Sequence, residues 1–141
     1  MRYYLDTQTL AQVLFNRVDD MSLEVRTILE DYANTFCTSV VCVKELIHLV
    51  QTARIRPINK KRGYAALDMI TAISVAGIDI SQVNTLHLEE LANLPLYDGH
   101  NDPNDRLIIA QAIRDRIPLI SSDRKFEFYR AQGLELIYNH K

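Results

Sequence analysis

The chain of 141 residues has no tryptophan, two cysteines, four glycines and four prolines. Each scarcity excludes something. Cys37 and Cys42 lie among apolar residues, without His or Cys neighbours at finger-like spacing, so neither a zinc finger nor a disulfide framework is expected and both read as buried, reduced thiols. The tyrosines and phenylalanines are too dispersed for a base-stacking platform. No window supplies the ~18 consecutive apolar residues of a membrane span. The N-terminus, MRYYLDTQTL, meets Asp6 before an apolar stretch long enough for a signal peptide can form. The expectation is a soluble, cytoplasmic protein. Low-complexity blocks and a fixed repeat period are also missing, which leaves one domain over residues 1–141. Charge of neither sign dominates: the formal net charge is -2, so the overall field does not announce a nucleic-acid partner.

What is present is a globular composition, 48% hydrophobic and 24% charged, sufficient to fill one core. Short β-prone runs alternate with segments of helical periodicity. RYYLD reads as a strand, followed by a helix marked by Leu10, Val13 and Leu14; Ser22 to Asn34 reads as a second helix. TFCTS is a strand and VVCVKELIHLVQ the helix after it, with Val43, Leu46, Leu49 and Val50 inward. GYAALDMITAISVAG is a helix stopped by Gly77, IDISQV a strand, and NTLHLEELANL a helix opening on Asn84. A loop over Pro95 to Pro103 precedes the helix NDRLIIAQAIRDR, the strand IPLISS, the helix RKFEFYRAQG ending at Gly133, and a fifth strand, LELIYN. Such alternation implies βαβ units and a mostly parallel sheet between helical layers, an α/β three-layer sandwich. Ligands of such folds bind beyond the carboxyl ends of the strands.

Asp6 and Asp123 both end strands and so share that edge. Asp105 lies in the first turn of the helix leading into the fourth strand, and Glu45 stands between one and two turns into the helix after TFCTS. Asp6 and Asp123 also suit helix N-caps, and Asp105 also suits the positive end of a helix dipole. Glu45 is neither, because Leu46, Leu49 and Val41 border it, and a carboxylate beside an apolar stripe is costly unless paired. In HNDPNDRLIIA, Asp102 reads first as the N-cap, with Pro103 in the first helical position, and second as a group adjacent to a metal. Converging acids would repel one another, and a hard divalent cation, Mg²⁺ or Mn²⁺, is the economical solution. Two such ions about 3.5–4 Å apart can clamp the oxygens of a phosphodiester during hydrolysis.

Other patterns compete. Glu45 and His48 have the Glu-x-x-His spacing of di-iron bundles, but the second pair and the further glutamates on long helices are lacking. LDTQTL resembles the nucleophile strand of haloacid dehalogenase phosphatases, yet Gln8 stands where a second aspartate is required. His100 reads as a loop hydrogen-bonder before a phosphate donor, and His48 as a helix-surface residue able to touch substrate. The basic run TARIRPINKKR, with Arg54, Arg56, Lys60, Lys61 and Arg62, is a solvated surface unless a catalytic site lies nearby, in which case it attracts phosphates.

YYLDTQTL, SVVCVKEL, HNDPNDRLIIAQA and ISSDRKF, in that order and over nearly the whole chain, resemble the four acidic motifs of PIN-domain ribonucleases, most closely the VapC-type toxins of type II toxin–antitoxin pairs. The resemblance implies a five-stranded parallel sheet, Mg²⁺- or Mn²⁺-dependent endoribonuclease activity, a homodimer, and a cognate antitoxin whose tail occupies the acidic groove. By position, Asp6, Glu45, Asp105 and Asp123 match the family acids, and Thr7 and Ser122 match small hydroxyl residues near the metals. Asn104 departs from the subgroup pattern, which has Phe there. The alternative is a catalytically silent PIN-like module that binds RNA or a protein partner.

Overall fold

The computed structural model describes residues 1–55 and 66–141. Five strands form one parallel sheet in the order β3-β2-β1-β4-β5. They are β1 (Arg2–Leu5), β2 (Thr35–Ser39), β3 (Ile78–Ser81), β4 (Leu119–Ser121) and β5 (Leu136–Tyr138). The helices are α1 (Thr7–Leu14), α2 (Leu23–Glu30), α3 (Val40–Gln51), α4 (Asp68–Val75), α5 (Thr85–Asn93) and α6 (Pro103–Asp115). A short 3₁₀ turn, Val18–Asp20, and a longer 3₁₀ segment, Arg124–Gln132, complete the described elements.

β1 is central because it can be buried on both faces. Tyr3, Tyr4 and Leu5 are buried consecutively, as are all three residues of β4, the continuous pattern expected of a parallel sheet covered on both sides. Leu5 pairs with Thr38 on one side and Ile120 on the other, and the buried Thr38 hydroxyl donates to the Leu5 carbonyl. Leu10, Leu46, Met69, Ile73, Ile108, Ile109, Phe126 and Tyr129 fill the space between sheet and helices.

The strand order carries functional information. From β1 the chain builds outward through β2 and β3, then crosses back to place β4 on the other side of β1. The helical connections therefore diverge between β1 and β4, and a crevice opens beyond the carboxyl ends of those two strands. Asp6 follows β1 and Asp123 follows β4, so the two acids flank that crevice.

Most element boundaries match the expectations from sequence, and three differ instructively. The helix expected over Ser22 to Asn34 ends at Glu30, and residues 31–34 turn into β2. The helix ending before Gly77 begins at Asp68 among the described residues; Gly77, at φ +78°, supplies the left-handed position that closes it. Residues 124–132 wind as 3₁₀ rather than α. Their buried residues, Phe126 and Tyr129, are three apart, which suits three residues per turn, whereas Arg130, four after Phe126, is exposed.

Candidate active site

Three of the acids at the crevice are produced by local helix-start chemistry. Asp6 caps α1, its Oδ1 accepting the Thr7 N–H at 2.7 Å. Asp123 caps the long 3₁₀ segment through the Lys125 N–H at 2.9 Å. Asp102 caps α6, accepting the N–H groups of Asn104 and Asp105 at 2.9 and 3.1 Å, with Pro103 in the first turn. That cap leaves Asp105 free to face the crevice from the first turn of α6.

Hydroxyl groups tie the acids to one another. Ser121 Oγ donates to Asp6 Oδ2 at 2.7 Å and accepts the Asp123 N–H at 3.1 Å, joining the ends of β1 and β4. Thr7 Oγ1 donates to Glu45 Oε2 at 2.7 Å, holding the side chain of α3 back over the sheet edge. Ser122 points elsewhere: its hydroxyl donates to Gln8 Oε1 at the rim. Sequence similarity led to Ser122, but strand alternation makes its neighbour Ser121 the one that faces Asp6.

Asp6, Glu45, Asp105 and Asp123 line one open cleft of about 820 Å³, together with Thr7, Gln8 and Ser122. Asp105 is its hub. One donor atom from each of His100, Asp105 and Asp123 lies within 4.8 Å of the other two, and the same holds for Glu45, Asp102 and Asp105. An adjoining groove of about 540 Å³ shares Glu45 and Asp105 and adds Lys44, His48, Arg54 and Asn104. Lys44 and His48 are four apart on α3 and so share a face; Lys44 Nζ donates to Asn104 Oδ1 at 2.9 Å. Arg54 is exposed at the edge of this groove, whereas Arg56, Lys60, Lys61 and Arg62 lie outside the described residues.

The electrostatics follow from burial and crowding. Burial, then the charges of Asp102, Asp6, Glu45 and Asp123, pushes Asp105 up to about 7. Asp6 is pushed up to about 6, chiefly by burial, against the opposing hydrogen bonds from Ser121 and the Thr7 backbone. Burial lowers the His100 imidazole from its ordinary value, which favours a neutral ring. Cys42, against Asp6, is raised far out of the reactive range by burial, and Cys37 is raised for the same reason; both are free, buried thiols.

A family model for the PIN domain matches residues 3–133. The chain belongs to the PIN-domain family. No curated protein matches it in sequence. Among solved structures, this PIN domain resembles a chain of VapBC2 from Rickettsia felis, whose structure includes a promoter DNA fragment, with TM-score 0.65, 20% identity and 99% of each chain covered. It also resembles a chain of VapBC-1 from nontypeable Haemophilus influenzae, with TM-score 0.63, 19% identity and 98% of each chain covered. A chain of DNA-bound VapBC from Salmonella typhimurium aligns with TM-score 0.62, 14% identity and 98% coverage of each. At these identities the likeness is one of fold.

The donor set of this PIN domain fits a divalent cation. Carboxylate oxygens dominate it, burial and then repulsion from neighbouring acids hold two of the carboxyl groups up, and a positive ion would offset both. His100 stands in the HNDPND block beside Asp102 and Asp105, but its bonding partners could not be read from sequence. It does bond within the protein, through Nδ1 to Tyr129 Oη at 2.8 Å, but its Nε2 is turned toward Asp105 Oδ2, 3.4 Å away. The bond that fixes the ring, His100 to Tyr129, joins residues 29 apart, and no local pattern signals it. Among the described residues, no helix is long and apolar enough to cross a membrane.

Proposed function

We propose that this PIN domain is a metal-dependent endoribonuclease acting as the toxin of a toxin–antitoxin pair. The observation that carries the reading is the meeting of Asp6, Glu45, Asp105 and Asp123 on one cleft at the switch point of the sheet, where burial and then neighbouring acids push Asp6 and Asp105 up. Asp105 and Asp123 hold the cation with Asp6 and Glu45, Thr7 and Ser121 orient those last two, and Ser122 and Asp102 support the rim and the helix start. Oxygen donors favour Mg²⁺ or Mn²⁺. When bound, such an ion supplies positive charge to the phosphodiester and lowers the pKa of an attacking water.

The remaining chemistry is that of binding. Lys44, His48 and Arg54 border the groove that opens beside Glu45 and Asp105, where they attract phosphates flanking the scissile one without reading sequence. Arg56, Lys60, Lys61 and Arg62 extend that basic character along the chain. Residues 1–141 act as one domain, as a homodimer in the cytoplasm, with a cognate antitoxin whose tail enters the acidic cleft. Fold similarity to chains of the Rickettsia felis and Haemophilus influenzae VapBC complexes supports that partner.

The test is cleavage of structured RNAs by the purified chain with Mg²⁺ or Mn²⁺, beside Asp6→Asn and a chelator control. Cleavage lost in both controls is the expected result. Cleavage that survives both sinks the metal mechanism, and an intact chain that cuts no RNA while binding it favours a silent module.

A further inference from the structure

We propose that His100 is a positioning residue for Asp105, a hydrogen-bond donor held in one tautomer by Tyr129 and Arg106. The inference rests on the metal site proposed above and adds to it a group that is not an acid. His100 and Tyr129 are buried, 3% and 0% exposed, so the partners of their polar atoms are restricted. Arg106 Nη1 lies 3.4 Å from Tyr129 Oη, and a guanidinium can only donate, so the phenol oxygen accepts there. The phenol proton then needs an acceptor of its own. Among the described residues its partner is His100 Nδ1, at 2.8 Å. With Nδ1 accepting, a neutral imidazole carries its proton on Nε2.

That Nε2 is buried without a hydrogen-bond partner, and it faces Asp105 Oδ2 at 3.4 Å. Closing the gap to the ordinary ~2.9 Å takes a small movement of a half-buried carboxylate. His100 would then grip one oxygen of Asp105 and aim the other at the cleft, as outer groups orient metal-binding carboxylates in general. Arg106 is itself fixed, because it also donates to the carbonyls of Leu94 and Pro95 at 3.3 and 2.9 Å. The loop bearing His100 is pinned by Lys125 Nζ, which donates to the Gly99 carbonyl at 2.7 Å. The relay thus runs from Arg106 through Tyr129 and His100 to Asp105.

A competing geometry makes His100 a third ligand beside Asp105 and Asp123, since their donor atoms lie within 4.8 Å of one another. That arrangement needs a lone pair on Nε2 and hence a proton on Nδ1. Tyr129 Oη would then face two donors, with its own proton left without an acceptor among the described residues.

Two measurements on the full-length chain decide the matter. In the metal-free protein, nitrogen NMR of His100 should show Nδ1 unprotonated and Nε2 protonated; the opposite tautomer overturns the proposal. In calorimetric titrations with Mg²⁺ and with Mn²⁺, His100→Ala should weaken both ions about 10-fold and by the same factor. His100→Gln, whose amide N–H reaches the place of Nε2–H, should recover most of that loss, and Tyr129→Phe, which leaves Nδ1 unpaired, should give an affinity between wild type and His100→Ala for both ions. A loss confined to Mn²⁺ identifies a nitrogen ligand, and unchanged affinity or a Gln variant no better than Ala removes the positioning role. RNA cleavage is scored separately: failure to cleave with this binding pattern intact overturns the nuclease reading alone, whereas a wild-type chain that binds neither ion overturns both.

Discussion

Thr7 donates its hydroxyl proton to Glu45 across 2.7 Å, and that bond ties the first turn of α1 to the second turn of α3. Its partner, unlike Asp6 and Asp123, is not a helix cap, so this bond is what orients it. Thr7→Val keeps the shape and deletes the donor, so Glu45 loses its orientation while the fold persists. Cleavage should fall about 10-fold, the scale on which groups behind a metal site act. Thr7→Ser should retain most activity, and rates measured beside melting temperatures separate the two effects.

Ser121 and Ser122 are adjacent and chemically identical, yet only Ser121 touches Asp6. Ser121→Ala removes a hydrogen bond that stabilises the Asp6 carboxylate, so Asp6 should hold its proton to a higher pH and Mn²⁺ should bind more weakly at neutral pH. Ser122→Ala removes a rim contact with Gln8 and should leave metal affinity close to wild type. Calorimetric titration of both variants at one pH makes the comparison.

That pair shows where sequence is informative and where it is not. Strand-then-helix periodicity locates Asp6 and Asp123, because both are helix-start residues at strand ends and local rules govern such places. Asp102 and Asp105 are separable for the same reason: proline in the first turn fixes which acid caps. Choosing Ser121 over Ser122 needs the register of β4, and placing His100 needs Tyr129 and Arg106, which tertiary packing supplies. The 3₁₀ winding of 124–132 likewise reflects how Phe126 and Tyr129 meet the core, since the same residues also satisfy a helical pattern.

Asp102 and Asp105 should respond oppositely to substitution. Asp102→Ala deletes the cap of α6, at a cost of about 1 kcal/mol, which lowers the melting temperature of a domain this size by roughly 2–4 °C. Asp105→Asn removes a carboxylate that burial and four neighbouring acids disfavour, so the metal-free chain should melt higher at alkaline pH than wild type. The same change should abolish metal-dependent cleavage. Thermal melts with a chelator, followed by RNA cleavage, test both halves.

The raised carboxyl groups also set a direction for pH. In the unfolded chain an aspartate titrates near ~3.9, whereas folded Asp6 and Asp105 hold protons to about 6 and about 7. Between those limits the folded state binds more protons than the unfolded state, so the contribution of these groups to stability is greatest in acid and is lost as pH rises. The metal-free wild type should therefore lose more stability than Asp105→Asn between about pH 5 and about pH 8. Metal binding displaces the same protons, so Mn²⁺ affinity should climb over that window and its addition at the alkaline end should restore the melting temperature. An Asp105→Asn curve parallel to wild type would remove Asp105 as the source.

Lys44, in the second turn of α3, and Arg54, just past its C-terminal cap Thr52, both line the groove beside Glu45 and Asp105. Both are exposed, and under the proposed function their contribution is to draw phosphate. Attraction of that kind is read in its salt dependence: for single strands each phosphate contact contributes about 0.7 to the slope of log affinity against log salt. Lys44→Ala and Arg54→Ala should each reduce that slope by about one contact, weaken RNA binding uniformly across sequences and raise KM with kcat nearly unchanged. Lys44→Ala also frees the Asn104 side chain, whereas Arg54→Ala leaves that bond intact. If Lys44 serves only to hold Asn104, its variant will keep the wild-type salt slope while Arg54→Ala alone flattens it.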